Sequence, residues 1–379
     1  MKVAIITSRY PSKDNPYNHM FVHMRAKEML RIGISTIVYV PSISRHYYEH
    51  EEIPIHKIGY SEIIKEISKY DLLYLHLLNI YPFSKANGWP IYKHILRTKI
   101  PFAIYVHGNE VQKYSSRFYE FNFRISEVLK WIKKDLFVIP KMRRFIRATK
   151  DIENSAYIFP SKWMRNNTEE NLNLKIDKFF IIPNGIDTAL FKYRSLEEKR
   201  FKILTIRSLS QKVYNIEQTI DTINLLPEKY SLVIYGKGKY KRSYDRRIKA
   251  LGLQHRIKII EQFLSRIEML EVFDQFGVFI STTRIDSQGI TMMEAMSRGL
   301  LVATTKNSSK GEFIENMKSG ILGIDEKELF EGIIEVTSDL EKYRKITLNG
   351  SNQIEQIELK KTMKKEIEVL SSLLSNGDV

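Results

Sequence analysis

The chain has 379 residues, 43% of them hydrophobic, and no cysteine. That length suits two domains, the apolar content excludes a disordered chain, and the missing cysteine excludes a disulfide scaffold, cysteine-ligated zinc and thiol catalysis. A net charge of +16 points either to a polyanionic partner or to a solvated basic surface.

The chain opens with MKVAIITSRYPS, whose apolar run is too short for a signal peptide, and no stretch reaches membrane-spanning length. A cytoplasmic protein is therefore expected. Short, nearly continuous apolar runs follow: KVAIIT (2–7), STIVYV (35–40), DLLYLH (71–76), FAIYVH (102–107), AYIFPS (156–161) and FFIIPN (179–184). Such runs read as buried parallel strands. Amphipathic stretches lie between them, such as MFVHMRAKEMLRIG, which ends in a glycine cap at Gly33. After the polar stretch 191–200 the pattern restarts with strand candidates at 201–208, 230–238, 256–263, 276–283 and 299–305. From about Ile354 to Leu374 the sequence is helical with no strand after it. The fold class is read as α/β: two Rossmann-like doubly wound domains facing across a cleft. Residues 1–190 form the first and 191–353 the second, with the segment 354–379 packing back on the first. Ligands of such sheets bind beyond the carboxyl ends of the strands.

The stretch RIDSQGITMMEAMSRG follows the strand candidate 276–283. Gly289 permits close backbone approach, Ile290–Arg298 reads as a helix, and Gly299 closes it. The start of that helix, at Gly289, Ile290 and Thr291, offers amide groups and a positive dipole end to phosphate. Glu294, one turn in, is placed to accept hydrogen bonds from the vicinal hydroxyls of a ribose. Asp286 is placed to touch whatever hangs from the phosphate. The alternative is that both acids simply favour the helix N-terminus. Arg207 and Lys212, five apart in IRSLSQK, follow the first strand of the second half. They are either a pair of cations for a diphosphate or an ordinary basic loop.

Together these motifs resemble retaining glycosyltransferases of the GT-B fold, specifically glycosyltransferase family 4. Asp286 to Glu294 is similar to the family's E-x7-E, within DSQG and EAMSRG, and Arg207 to Lys212 to its R-x4-K. IPNGIDTALF (182–191) is similar to the family's interdomain segment and YVHGNEV (105–111) to its HG-x-D segment. Three departures stand out. Asp286 is one methylene shorter than the family's Glu, Ile206 replaces a frequent glycine, and the first loop lacks the frequent glycine pair. The resemblance implies a nucleotide-diphosphate sugar donor, UDP foremost, in the second half. Arg207 and Lys212 would hold its diphosphate, Gly289–Thr291 its phosphate end and Glu294 its ribose, with Asp286 facing the sugar. It implies a glycan or lipid-linked acceptor in the first half, with His107 in a catalytic role beside the sugar or acceptor hydroxyl. Asn18, His19, Asn109 and Glu110 would lie on the acceptor side. No metal and no cofactor are expected, the nucleotide sugar being a substrate.

One more segment bears on partners. Residues 129–150 carry eight cations and one acid, interleaved with Trp131, Phe137 and Phe145. They read either as a solvated helix face or as a surface for anionic lipid, which would place the protein peripherally on the inner face of a membrane. Pro140 is expected to break or kink that helix. No recognition helix, RNA-binding aromatic motif or zinc module supports a nucleic-acid partner. Two further readings on the same architecture are a nucleotide-sugar epimerase and a non-catalytic partner subunit.

Overall fold

The computed structural model describes residues 1–13, 15, 18–121 and 123–375. The chain divides into two compact units, Met1–Pro183 with Lys360–Val379, and Asn184–Leu359. The boundaries expected at 190 and 353 fall inside the second unit. Asn184 is drawn there by hydrogen bonds to Gln288, and the Ile186 amide donates to the Ile357 carbonyl at 2.9 Å.

Among the described residues the first unit holds eight strands: β1 (Lys2–Thr7), β2 (Ser35–Pro41), β3 (His46–His50), β4 (Ile53–Ile58), β5 (Leu72–His76), β6 (Phe102–Tyr105), β7 (Ser155–Phe159) and β8 (Phe179–Ile181). They lie in the order β3-β4-β2-β1-β5-β6-β7-β8. All neighbours pair in parallel except β3 and β4. β1, β5, β6 and β7 are buried along nearly their whole length, as parallel strands covered on both faces must be. The edge hairpin β3–β4 was not expected. The outer strand, HYYEH, is half exposed and polar, so it lacks the apolar run that marks its neighbours.

The second unit contains β9 (Lys202–Ile206), β10 (Ser231–Tyr235), β11 (Ile257–Ile260), β12 (Val278–Ser281), β13 (Leu301–Thr305) and β14 (Ile321–Gly323). Their order is β11-β10-β9-β12-β13-β14, all parallel. Counted within the unit this is 3-2-1-4-5-6, the dinucleotide-binding order whose switch point lies between the first and fourth strands, β9 and β12. The short β14 was also not expected. Three residues are too few to show a period.

The basic stretch bears on two expectations. Helix Ile125–Trp131 runs through a π-helical segment, Ile132–Val138, into helix Ile139–Ala148 without a break. Pro140, which has no amide to donate, directly follows the π-helical turn, where the change of hydrogen-bond register accommodates the missing donor. Phe145 is not on the outer surface: it is fully buried with Ile139 and Met142. Trp131 and Phe137 are exposed, beside exposed Leu129 and Leu136. Among the described residues no helix is long and apolar enough to cross a membrane.

The last helix, Leu359–Ser375, is tied to the first sheet by a buried charge. Arg25 Nε donates to both Glu366 oxygens, at 2.9 and 3.2 Å, and the Tyr74 hydroxyl donates to Oε1 at 2.6 Å. The Arg25 guanidinium also lies 3.9 Å from the Tyr105 ring centroid. Glu366→Ala would remove the buried carboxylate that both Arg25 and Tyr74 bond. We expect that change to destabilise the first unit by about 3–5 kcal/mol, read from its transition in urea. A loss under about 1 kcal/mol would mean that the pair does not anchor the helix.

Candidate functional site

At the switch point of the second sheet, loops after β9, β12 and β13 meet. Arg207 is the first residue past β9. Its Nη2 donates to Ser281 Oγ at the end of β12 (3.0 Å) and its Nη1 to the Ile206 carbonyl (3.3 Å). Its Nε is buried without a hydrogen-bond partner, and the side chain is 9% exposed. Across from it stands Asp286, with Oδ2 3.9 Å from Nη2. The other carboxylate oxygen of Asp286 accepts the Gln288 amide (3.2 Å), and its own amide donates to Ser308 Oγ (3.1 Å). Asp286 therefore shapes the loop as well as facing the cation.

Lys212 lies in the short turn Lys212–Tyr214 of the same β9 loop. That loop is pinned to the β12 loop: the Arg284 amide donates to the Val213 carbonyl (2.8 Å) and Arg284 Nη2 to Asn215 Oδ1 (2.6 Å). Among the described residues no acid lies within ion-pair distance of Lys212. The YGKG segment passes so close that a Cβ on Gly236 would come within 1.9 Å of the Arg207 carbonyl oxygen.

Gly289 has φ +79 and precedes helix Ile290–Arg298. A Cβ there would be strained by that backbone and would meet Met292 Cε at 3.1 Å and Asp286 Oδ2 at 3.4 Å. No side chain caps this helix, so the amides of Ile290 and Thr291 have no acceptor within it. Glu294 is one turn in and buried. Burial pushes its carboxyl up to about 7, partly offset by Arg266 and Arg207 and reinforced by Asp187. Arg266 Nη2 stands 3.9 Å from Glu294 Oε1 and 3.4 Å from Asp187 Oδ2.

Four residues of this centre escaped the sequence reading. Arg266 and Asp187 flank Glu294. Gln288 locks Asn184 with three buried hydrogen bonds of 2.7 to 2.8 Å. Lys310 is fully buried; its Nζ donates to Thr305 Oγ1 (2.6 Å), Asn307 Oδ1 (2.9 Å) and the Thr283 carbonyl. Burial lowers it to about 7, and Asp286 works against that. Asp187 and Gln288 stood inside the IPNGIDTALF and DSQG motifs without an assigned role, and Arg266 and Lys310 carried no motif signal.

In the first unit, the histidines gather at the carboxyl ends of β1, β5 and β6. His107 Nε2 and His76 Nδ1 are 3.1 Å apart and share one proton. Burial holds both rings well below the usual histidine range, with Arg25 adding to it, so both are neutral at pH 7. His107 keeps its Nδ1 without a hydrogen bond among the described residues. Phe21 lies over its ring at 4.2 Å. His19 Nδ1 bonds Thr7 Oγ1 at 2.8 Å, and burial, with Arg9, lowers it to about 4. Glu110 accepts the His107 amide on Oε1 (2.9 Å), and the Asn109 carbonyl accepts from Lys134. Asn18 is part of the turn before helix Met20–Arg31, its amide 3.5 Å from the Asn15 carbonyl. Asp14, Pro16 and Tyr17 of that loop lie outside the described residues.

One group of three potential metal ligands occurs among the described residues: His23, His50 and Glu51. Tyr10 bonds His23 Nδ1 at 2.9 Å, and Lys27 Nζ pairs with Glu51 at 2.5 Å, so the carboxylate already has a cation.

These features define a class. The two sheets, parallel but for the β3–β4 edge, are Rossmann-like, and solved GT-B proteins share the architecture. HepE of Anabaena, in complex with UDP and glucose, matches with a TM-score of 0.74 at 16% identity, covering 98% of this chain and 100% of that one. WaaG, a glycosyltransferase involved in lipopolysaccharide biosynthesis, matches with a TM-score of 0.69 at 13% identity, covering 97% and 99%. Residues 187–353 match the family Glycosyl transferases group 1. The chain thus shares the fold of GT-B glycosyltransferases, and residues 187–353 of its second unit resemble group 1 glycosyl transferases. Among curated proteins, a probable sucrose-phosphate synthase of Thermosipho melanesiensis is 23% identical over 334 residues, 78% of this chain and 74% of that one. The alpha-monoglucosyldiacylglycerol synthase of Streptococcus pneumoniae is 23% identical over 326 residues, 82% of this chain and 68% of that one.

Proposed function

We propose that this chain is a retaining, metal-independent glycosyltransferase. It moves a sugar from a nucleotide-diphosphate sugar, UDP foremost, to a glycan or lipid-linked acceptor in surface polysaccharide or glycoconjugate assembly. One observation carries the reading: the switch point of the second sheet joins Arg207, an uncapped helix start and the buried Glu294. Arg207, Lys212 and the Gly289–Thr291 backbone take the diphosphate. Glu294 accepts the ribose hydroxyls, and Asp286 faces the sugar. As the bond from the anomeric carbon to the diphosphate breaks, negative charge builds on the leaving oxygen. The fixed cations and amides favour that state over the ground state. The acceptor oxygen bonds to the anomeric carbon, and its proton leaves with the diphosphate. His107, neutral and held by His76, serves as a hydrogen-bonding partner on the acceptor side, not as a charged acid.

The UDP and glucose bound by HepE support the donor class. The test is release of nucleoside diphosphate from a panel of nucleotide sugars by the full chain. One donor turned over, with Lys212→Ala inactive, is expected. A folded chain that binds no donor would overturn the reading in favour of a partner subunit.

The exposed apolar side chains around Lys130, Lys133 and Lys134 favour peripheral attachment to an anionic inner leaflet. In vesicle sedimentation, Trp131→Ser with Phe137→Ser should reduce binding to anionic vesicles at least fivefold. Equal sedimentation of wild type and variant would remove the membrane from the account.

A further inference from the structure

The first unit contains a cavity of about 250 Å³ between the loop after β5, the loop after β6 and the helical segment 130–138. That is room for roughly eight water molecules at liquid density. Five cations line it: Lys113, Arg117, Lys130, Lys133 and Lys134; Glu110 is the acid among them. Two of the five are accounted for. Lys130 pairs with Glu127 at 2.7 Å, and Lys134 donates to the Asn109 carbonyl. Nearby Asp135 accepts the amides of Tyr114 (2.5 Å) and Ser115 (3.1 Å).

The other three have no acid within ion-pair distance among the described residues. Lys133 sits 4.1 Å over the Tyr81 ring. Arg117 gives Nη2 to Gln112 Oε1 (2.6 Å) while its Nε stays buried and unpartnered. Glu110 does not neutralise them well. It lies deep, and burial pushes its carboxyl up. Its Oε2 is buried without a partner. A cavity with surplus positive charge, an unused guanidinium donor and an unused carboxyl oxygen suits a small group with several anionic oxygens.

We propose that this cavity binds the phosphate of a phosphorylated acceptor, a phosphate ester carried either by a soluble sugar or polyol or by a lipid headgroup. Calling the ligand an acceptor rests on the transferase reading above; the anion site itself does not. Arg117 supplies the planar fork, Lys113 and Lys133 the surrounding charge, and Glu110 meets a hydroxyl or a protonated oxygen of the ester.

The test uses the full chain saturated with UDP, so that the clamp of the second unit is occupied. Calorimetry with glucose 6-phosphate and glycerol 3-phosphate is compared with glucose and glycerol. Vesicles containing phosphatidate are compared with phosphatidylcholine vesicles. The phosphate esters, the phosphatidate vesicles or both should bind, and the uncharged probes should not. Arg117→Gln and Lys133→Gln should each weaken that binding about tenfold while UDP affinity and melting temperature stay put. Soluble esters alone would identify a soluble acceptor, and phosphatidate alone a lipid one; each supports the site. Anion binding that both variants leave unchanged, or no anion binding in either arm, overturns it. If UDP itself fails to bind, the transferase reading falls, and the same anion titrations are then read in an Arg207→Ala background.

Discussion

Arg207→Ala should lower turnover of the preferred donor by roughly 10²–10³-fold, the usual loss when one preorganised donor to a developing oxyanion is removed. The structure explains why its neighbours cannot compensate. The Arg207 side chain is only 9% exposed and is held at the end of β12 by Ser281, so it needs no rearrangement to act. Its Nε is buried and has no partner, so one donor of the fork is unsatisfied in the ligand-free protein. Asp286 at 3.9 Å restrains the guanidinium without closing a tight ion pair. Lys310, the other buried cation of this centre, has its Nζ committed to three oxygens. Arg207→Lys should recover little, because an ammonium cannot reproduce a planar fork. Steady-state kinetics with thermal melting would decide. An alanine variant that folds and retains turnover within threefold of wild type would remove Arg207 from the diphosphate clamp.

Glu294→Gln should make the ligand-free protein more stable above pH 7 and a poor enzyme at every pH. A carboxyl raised from 4.5 to about 7 by burial disfavours the folded state whenever it must ionise. Its favourable contribution is complete below pH 4.5 and is lost as pH rises through about 7. The difference is worth about 3 kcal/mol between those limits. Glutamine has no charge to bury, so melting of the variant should lose that part of the pH dependence. Donor affinity should move the other way. Ribose hydroxyls donate best to the ionised carboxylate, so wild-type affinity should fall as pH drops below about 7, and the variant should be flat and weak. Identical pH–stability profiles for the two proteins would show that Glu294 ionises as it does in the unfolded chain.

The legible parts of the fold were the strands buried on both faces. KVAIIT and LLVATT carry their apolar runs openly because both sides meet protein. The hairpin β3–β4 escaped because its outer strand turns tyrosine, histidine and glutamate toward water. Pro140 did not end the helix because a π-helical turn just before it takes up the missing donor, and sequence alone does not show such a change of register. At the site, Arg207, Asp286 and Glu294 were readable because ordered loops bring short motifs to one sheet end. Arg266 was not, and Asp187, though part of IPNGIDTALF, gave no sign of its place beside Glu294, since the two come from segments about thirty and a hundred residues away in sequence. Likewise the neutral state of His107 follows first from its burial and then from His76, and no spacing rule links those two strands.

The second unit is, in topological terms, an insertion. The chain leaves the first unit after Pro183 and returns at Lys360, and the two ends of the excursion touch: the Leu359 amide donates to the Ile186 carbonyl at 2.8 Å, and Ile186 bridges Glu358. Such a cassette can be exchanged as one piece without stretching its host, so specificity on one side can diversify by recombination while the other side is kept. It also implies that a short linker across Pro183 and Lys360 should give a free-standing first unit.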